Sequence, residues 1–136
     1  MKIDVSVYLR GDSLDPVTVS SLLGIEPSKS RRKGECWTTS SNREVTAKIG
    51  IWAIVADANS SGLQAVVDEV TTRFRDNRIN LSEINGVEEA YVDVFVAIDA
   101  EADGGGTCNF QLSKENVSAL NSLGLPVRFT VSVIKS

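Results

Sequence analysis

The chain has 136 residues, 42% of them hydrophobic and 24% charged, and this balance predicts one soluble globular domain over residues 1–136. Histidine is absent, which excludes histidine-based triads and histidine–metal sites and removes the side chain best suited to proton transfer at neutral pH. The net charge of −4 argues against general nucleic-acid binding, because an acidic surface repels phosphate backbones.

Apolar periodicity predicts strands and helices along the whole chain. A period of two predicts a strand, and apolar spacings of three and four predict a helix. In the first half of the chain the predicted elements are a strand over 2–10, a helix over 16–23, a loop over 26–37, a short strand from 36 and a strand over 45–57. In the second half they are a helix over 59–78 with an apolar stripe over 63–74, a strand over 89–100, a returning hairpin strand over 107–113, a helix over 114–123 and a strand over 125–136.

Capping residues and apolar spacing place the helix ends and the core. Asp15 is a good N-cap for the first helix and Gly24 fits just past its end, while Ser60 or Ser61 can cap the middle helix. The strand over 45–57 is predicted to be apolar on both faces near its middle. The predicted apolar faces of all the elements hold Ile3, Val5, Val7, Leu9, Val19, Leu22, Leu23, Ile49, Ile51, Trp52, Ala53, Ile54, Val55, Leu63, Val66, Val67, Val70, Phe74, Val92, Val94, Val96, Ile98, Val117, Leu120, Leu123, Val127, Phe129, Val131 and Val133.

The element order β-α-β-β-α-β-β-α-β predicts an α+β fold. We expect an antiparallel or mixed sheet with helices on one face, ferredoxin-like in its repeats. Residues 15–25 and 115–125 resemble one another, since each holds a short capped helix that ends at glycine. This similarity fits either a duplicated strand–helix unit or the shared requirements of short helices.

A basic segment interrupts this acidic chain. Lys29, Arg31, Arg32 and Lys33 fall within five positions, and Trp37 follows shortly after. Arg31, Arg32, Lys33 and Trp37 offer charge and an aromatic surface to an anionic ligand or to an acidic patch on a partner. The alternative is a solvated loop whose cations balance nearby acids.

A strongly acidic stretch lies in the second half of the chain. No Lys or Arg occurs from Ile79 to Ser113. Such a stretch favours solubility or contact with a basic partner. The acidic residues predicted to contact a partner are Glu88, Glu89, Asp99, Glu101 and Asp103.

The sequence predicts no catalytic residue, no metal site and no cofactor. Asp99, Glu101 and Asp103 resemble half of a calcium loop, but Phe110 stands where the twelfth-position carboxylate belongs. The glycine run 104–106 lacks the spacing and the following helix of a phosphate-binding loop. The basic neighbours of Cys36 lower a thiol pKa in principle, but no general base accompanies them.

Two cysteines without a C-x-x-C spacing favour free thiols in a reducing compartment, although the sequence is also compatible with one disulfide between them. The first twelve residues lack the apolar run of a signal peptide, and no window reaches the length of a membrane span. We therefore expect a cytoplasmic protein that does not enter the membrane.

Residues 11–35 resemble a bacterial family, the domain-of-unknown-function family 4279. The resemblance rests on "GDSLDPVTVSSLLGIEP", on the following Lys-Gly-Glu and on the apolar strand "IGIWAIVAD", and it extends over nearly the whole chain. It implies a single-domain α+β fold in soluble bacterial proteins and carries over no catalytic residue. It draws attention to Lys33, which is either a contact residue or the partner of an acid such as Asp12.

Three functional hypotheses follow. The first is a non-enzymatic protein-binding module of an immunity or antitoxin type, whose acidic face covers the basic cleft of a nuclease-like partner. The second is a sensor or enzyme that holds a small anion with the Lys33 loop. The third is a structural domain that is either a monomer or a homodimer, with the sheet face around Trp52 and Ile54 as the dimer interface.

Overall fold

Three helices and seven strands make up the part of the chain that the structure describes. The structure is a computed structural model, and it describes residues 1–58, 62–75, 78–103 and 105–134. The bounds of the elements are β1 Lys2–Gly11, α1 Pro16–Leu23, β2 Lys29–Arg31, β3 Cys36–Thr38, β4 Glu44–Thr46, β5 Gly50–Asp57, α2 Leu63–Arg73, β6 Glu89–Asp99, α3 Lys114–Ser122 and β7 Val127–Ile134, with a 3₁₀ turn at Leu81–Glu83.

Five of the strands form one mixed sheet. Their order is β2-β5-β1-β6-β7, and β3 pairs with β4 in a separate hairpin. β6 and β7 are parallel, whereas the other neighbours are antiparallel. The predicted α+β class with a mixed sheet is confirmed. The ferredoxin-like repeat is not confirmed; β2, which follows α1, has three residues and pairs with β5, whereas β7, which follows α3, has eight residues and pairs with β6.

The core lies between one face of the sheet and the three helices. Strand alternation turns Val5, Val7 and Leu9 of β1 to this face, and all three are fully buried. Val92, Val94 and Val96 of β6 lie beside them and are equally buried, and α2 packs with its predicted apolar stripe against β1 and β5. The buried residues of that stripe are Leu63, Val66, Val67, Val70 and Phe74.

Trp52 anchors the helices to β5. Its side chain is fully buried, its indole N–H donates to Ser20 Oγ of α1 over 3.0 Å, and its ring meets Phe74 edge-on at a centroid distance of 6.4 Å. Ile54 is buried beside it. The hypothesis of a dimer interface around Trp52 and Ile54 is therefore wrong, because α1 and α2 already occupy that face.

The first helix has the predicted ends. Asp15 is its N-cap and accepts from the Val17 amide over 3.1 Å, and Gly24 ends it in the left-handed conformation with φ 68°. The predicted burial of Leu22 is wrong, since the helix turns this side chain to solvent and buries its neighbour Leu23. The second helix begins at a Gly62 cap, and the serine cap predicted at 60 or 61 lies outside the described residues.

The third helix packs on α2 through a buried asparagine. Asn116 is 1% exposed and its amide donates to Gln64 O over 3.3 Å and to Asp68 Oδ1 over 3.1 Å. The inward face of α3 thus runs through Asn116 and Leu120, one turn apart. The predicted burial of Val117 is wrong, because this helix phase leaves its side chain 52% exposed.

The predicted strand over 45–57 is divided in two. β4 pairs with β3, and β5 begins only at Gly50 in the main sheet. Ala47 ends the hairpin ladder through its hydrogen bonds with Gly34 and Glu35. The prediction of one continuous strand is wrong because its two halves have different partners, although β5 lies inside the sheet as expected.

The hairpin strand predicted over 107–113 does not form. Both edges of β6 are occupied, one by β1 and the other by β7, so no edge remains for this segment. Its apolar residues Cys108, Phe110 and Leu112 instead pack as an extended loop against the core. The alternating apolar residues that predicted a strand are therefore partly buried here without any strand pairing.

The last strand, β7, forms one edge of the sheet. Phe129, Val131 and Val133 point to the helix side but are 52%, 54% and 54% exposed, so their predicted burial is wrong. None of the described helices is long and apolar enough to cross a membrane.

Candidate binding surface on the helix-free face

Part of the basic segment is a strand. Lys29–Arg31 is β2, which pairs with Ile51–Ala53 of β5, so the interpretation of these three residues as a loop is wrong. Ser28 causes the pairing, because its hydroxyl accepts from the Val55 amide over 2.9 Å and its own amide donates to Ala53 O over 2.8 Å. The pairing turns Lys29 and Arg31 away from the helices.

The next two cations hold the segment to the start of α1. Arg32 lies 2.8 Å from Asp15 Oδ1, and Lys33 Nζ lies 3.4 Å from Asp12 Oδ2. The second contact is the ion pair considered for Lys33. All four side chains are about 40–55% exposed, so solvent screens both pairs and each contributes little to the stability of the fold. The pairs therefore position the segment more than they stabilise it.

Asp15 serves both α1 and the basic segment. Besides capping the helix it accepts from the Thr18 hydroxyl over 2.9 Å. That hydroxyl, with the Val17 amide and the Arg32 guanidinium, holds the pKa of the Asp15 carboxyl below its ordinary value of 3.8. The carboxylate is therefore charged at neutral pH, which its ion pair with Arg32 requires.

Three glycines bring the chain segments at this end of the sheet into close contact. A Cβ on Gly11 would lie 1.8 Å from Gly86 O, and one on Gly50 would lie 2.6 Å from Gly11 O. Backbones approach this closely only where side chains are missing. The contact places the Asp12 amide 3.3 Å from Glu88 Oε2, beside the Lys33 ion pair.

A row of aromatic and cationic residues crosses the face of the sheet opposite the helices, which we call the helix-free face because no described helix packs on it. Tyr8 and Tyr91 are paired in register on β1 and β6, and their rings stack at a centroid distance of 5.4 Å. Lys29 lies over the Tyr8 ring at 5.1 Å and Arg128 over the Tyr91 ring at 3.8 Å. The small Ala53 between Lys29 and Tyr8 leaves room for this contact.

Trp37 extends the row beyond β2. It lies on the β3–β4 hairpin, and the Arg31 guanidinium is 4.2 Å from its ring centroid. Arg31 also lies 4.0 Å from Glu35. Of the four predicted binding residues, Arg31 and Trp37 therefore border the helix-free face, whereas Arg32 and Lys33 are directed to the start of α1.

Glu89 connects the row to β1. It is paired in register with Arg10, lies 3.9 Å from that guanidinium and forms a salt bridge with Arg128. A carboxylate between two guanidinium groups holds both in place. Arg128 is thus fixed from two sides, by Glu89 and by the Tyr91 ring.

The predicted acidic patch is divided into two groups. Glu88 and Glu89 lie at the start of β6 beside the cations described above, whereas Asp99, Glu101 and Asp103 lie at its far end. The strand has 11 residues, and at about 3.3 Å per residue the two groups are on the order of 30 Å apart. They do not form one continuous acidic face.

Among the described residues, no three or more Cys, Asp or Glu side chains are placed to hold a metal ion. Cys36 is exposed, Cys108 is half-buried, and both are free thiols. The surface offers aromatic rings and fixed charges, which suit binding.

Sequence reasoning did not identify Tyr8, Tyr91, Lys29 and Arg128 as members of one surface. The alternation of β1 did place Tyr8 on the polar side of its strand. Their meeting depends on the register of β1 with β6 and on the parallel pairing of β7, and neither is encoded in a local pattern.

The family model described as a domain of unknown function, DUF4279, matches residues 1–133. The chain therefore belongs to this family, and the resemblance seen in the sequence is confirmed. No curated protein and no solved structure matched the chain.

Proposed function

We propose that the chain is a non-enzymatic protein-binding module that contacts its partner through the helix-free face. The observation that carries the proposal is the stacked pair Tyr8 and Tyr91, with Lys29 over one ring and Arg128 over the other. Tyrosine, tryptophan and arginine are the residues that most often dominate binding energy at protein interfaces. A sheet presents them rigidly, so little side-chain entropy is lost on binding.

The charges of this face favour an acidic partner segment. Lys29 is exposed, and the Arg31 and Arg128 side chains are 42% and 49% exposed, so their cationic groups remain accessible above the rings. Cations held over rings present their donors in a fixed place. Carboxylates of a partner would complete the hydrogen bonds that these groups leave to solvent.

Single-stranded nucleic acid also binds sheets through aromatic stacking. That mode requires free ring faces, but Tyr91 is only 8% exposed and Arg128 covers it. A base would have to displace the guanidinium first. We therefore keep a protein as the proposed partner.

The narrower immunity or antitoxin role would use the acidic groups instead. Asp99, Glu101 and Asp103 form no salt bridge within the described part of the chain, and they are the acids that a basic partner would meet. The small-anion role has weaker support, because Lys33 already pairs with Asp12. The two free cysteines suit the reducing bacterial cytoplasm, where we place the module.

The test compares two charge-reversal variants. Lys29→Glu/Arg31→Glu alters the helix-free face, and Lys114→Glu/Arg75→Glu makes the same change in net charge on the helix side. Partners are recovered by crosslinking in the native host and affinities are then measured by titration. Loss of a charged hydrogen bond worth about 1.5–3 kcal/mol weakens binding at least tenfold.

We expect the first variant to lose at least tenfold in affinity and the second to bind as the wild type does. Equal affinity of both variants, or recovery of no protein partner by the wild type, would contradict the proposal. A weaker complex only after replacement of Asp99, Glu101 and Asp103 would favour the immunity-type role. A turnover lost on replacement of one carboxylate or thiol would show an enzyme.

A further inference from the structure

The two edges of the sheet differ in how they are protected. One edge is β2, which has three residues and carries Lys29 and Arg31. The other edge is β7, which has eight residues and no proline. Natural sheets protect exposed edges with short strands, charges or proline, because free backbone groups invite pairing with another chain. β2 is short and carries two charges, whereas β7 is long, has no proline and carries one charged residue, Arg128, which points away from the helices.

The free backbone groups of β7 can be assigned. Pro126 O and Ile134 O accept from the Val92 and Ala100 amides of the β6 segment, over 2.9 Å in each case. In a parallel ladder the N–H and C=O of one residue point to the same side. The even-numbered residues of β7 therefore face β6, and the odd-numbered residues from 127 to 133 direct their N–H and C=O groups outward.

The same odd-numbered residues carry an exposed apolar surface. Phe129, Val131 and Val133 are each just over half exposed, and Val117 of α3 is 52% exposed above them. Of the nine large hydrophobic side chains that are exposed in the described chain, four lie on β7. An apolar surface joined to free backbone groups is suited to strand addition.

We propose that β7 pairs antiparallel with β7 of a second copy of this chain, which joins the two sheets into one of ten strands. Alignments centred on Thr130 or on Val131 pair odd residues with odd residues, so outward backbone groups meet and apolar side chains of both copies share one face. Neither alignment brings like charges together, because Arg128 is the one charged residue of β7 and Glu89 of its own chain neutralises it.

The twofold axis of this dimer is perpendicular to the sheet. Both helix layers then lie on one side, where Val117 and Phe129 of the two copies close over the new strand pair. Both helix-free faces lie on the other side and stay accessible. The pairing shares Arg128 of β7 with the proposed binding surface but uses the opposite face of the strand, and because one proposal is tested by mass and the other by affinity, either can fail without the other.

The test is the mass of the purified chain by light scattering and sedimentation over a wide concentration range. The wild type is expected at about twice 14.6 kDa. Val131→Lys places a charge opposite the same position of the other copy in the alignment centred on Val131 and opposite Phe129 in the one centred on Thr130, and in either case it is expected to weaken the dimer a hundredfold or more. Val131→Pro removes one outward N–H without touching the bonds to β6 and is also expected to give a monomer.

Val17→Lys is the matched control, because Val17 is an equally apolar residue that is 66% exposed on α1. It is expected to remain a dimer. Circular dichroism and the fluorescence of the buried Trp52 verify that each variant is folded. A wild type that is monomeric throughout, a folded Val131→Lys that keeps the dimer mass, or a Val17→Lys that becomes monomeric would each overturn the proposal.

Discussion

Replacement of Gly11 by alanine tests how closely the backbone is packed at the end of the sheet that carries the basic segment. The new Cβ would lie 1.8 Å from Gly86 O, whereas real Cβ atoms do not approach closer than 3.0 Å. The two backbones must therefore separate by at least 3.0 − 1.8 = 1.2 Å. Overpacking usually costs 1–3 kcal/mol, and because backbone has to move here we expect about 3 kcal/mol.

Gly24→Ala is the matched control. Gly24 also has special geometry, with φ 68°, but nothing lies within 4 Å of its Cβ position. Its cost is the left-handed backbone alone, about 1–2 kcal/mol. The comparison therefore separates a steric clash from a conformational penalty.

Urea unfolding followed by tryptophan fluorescence measures both variants. With a slope of about 2 kcal/mol per molar urea, Gly11→Ala moves the midpoint down by about 1.5 M and Gly24→Ala by about 0.5–1 M. A Gly11→Ala variant that is as stable as Gly24→Ala would refute the close contact between Gly11 and Gly86. It would also remove the explanation for how Asp12 is positioned to form its ion pair with Lys33.

Asn116→Ala removes two hydrogen bonds between α3 and α2 and leaves Gln64 O and the Asp68 carboxylate without this donor. We expect the free energy of unfolding, measured in urea, to fall by about 1–3 kcal/mol. An unchanged midpoint would contradict the role of Asn116 as the link between the helices. Asp15→Ala removes the cap of α1. Because its folded pKa is lowered, chiefly by Thr18, the charged carboxylate stabilises the fold above its ordinary value of 3.8, and this stabilisation is lost as the pH falls through the folded pKa. Thermal unfolding should show that the variant is clearly less stable than the wild type at pH 7 and that this difference shrinks at low pH. A difference that does not change with pH would contradict the claim that the ionised Asp15 carboxylate provides the stabilisation.

Local signals in the sequence were sufficient for the elements whose ends are fixed by neighbouring residues. Asp15 and Gly24 bound α1 as predicted, because a cap and a left-handed stop act within one turn of the chain. The stripe of α2 and the alternation of β1 were equally readable, since each element buries one side against a single core.

Strand partners were not readable from the sequence. The alternation of Cys108, Phe110 and Leu112 predicts a strand, but such a strand exists only if an edge is free, and β1 and β7 occupy both edges of β6. Phe129 and Val131 alternate in the same way whether β7 lies inside the sheet or at its edge. The pattern fixes which residues share a face, while burial depends on what lies beside that face.

Only part of the candidate surface was predictable, because the rest depends on which strands lie side by side. Arg31 and Trp37 were recognised by composition, and the pairing of Lys33 with Asp12 was one of two alternatives. The stacking of Tyr8 on Tyr91 required the register of two strands from distant parts of the chain. A shift of one residue would turn one of the rings to the core side.

The register of β2 decides what the basic segment does. Lys29 and Arg31 reach the helix-free face because Ser28 bonds to Val55 and so sets β2 against β5 in one alignment. A shift of one residue would put both cations on the helix side and place the neutral Ser30 on the helix-free face. Arg32 and Lys33 follow after the strand has ended, so they turn to the start of α1 instead. The first two cations of the segment thus belong to the binding surface and the last two hold the segment to α1. The division between the two pairs falls where β2 ends.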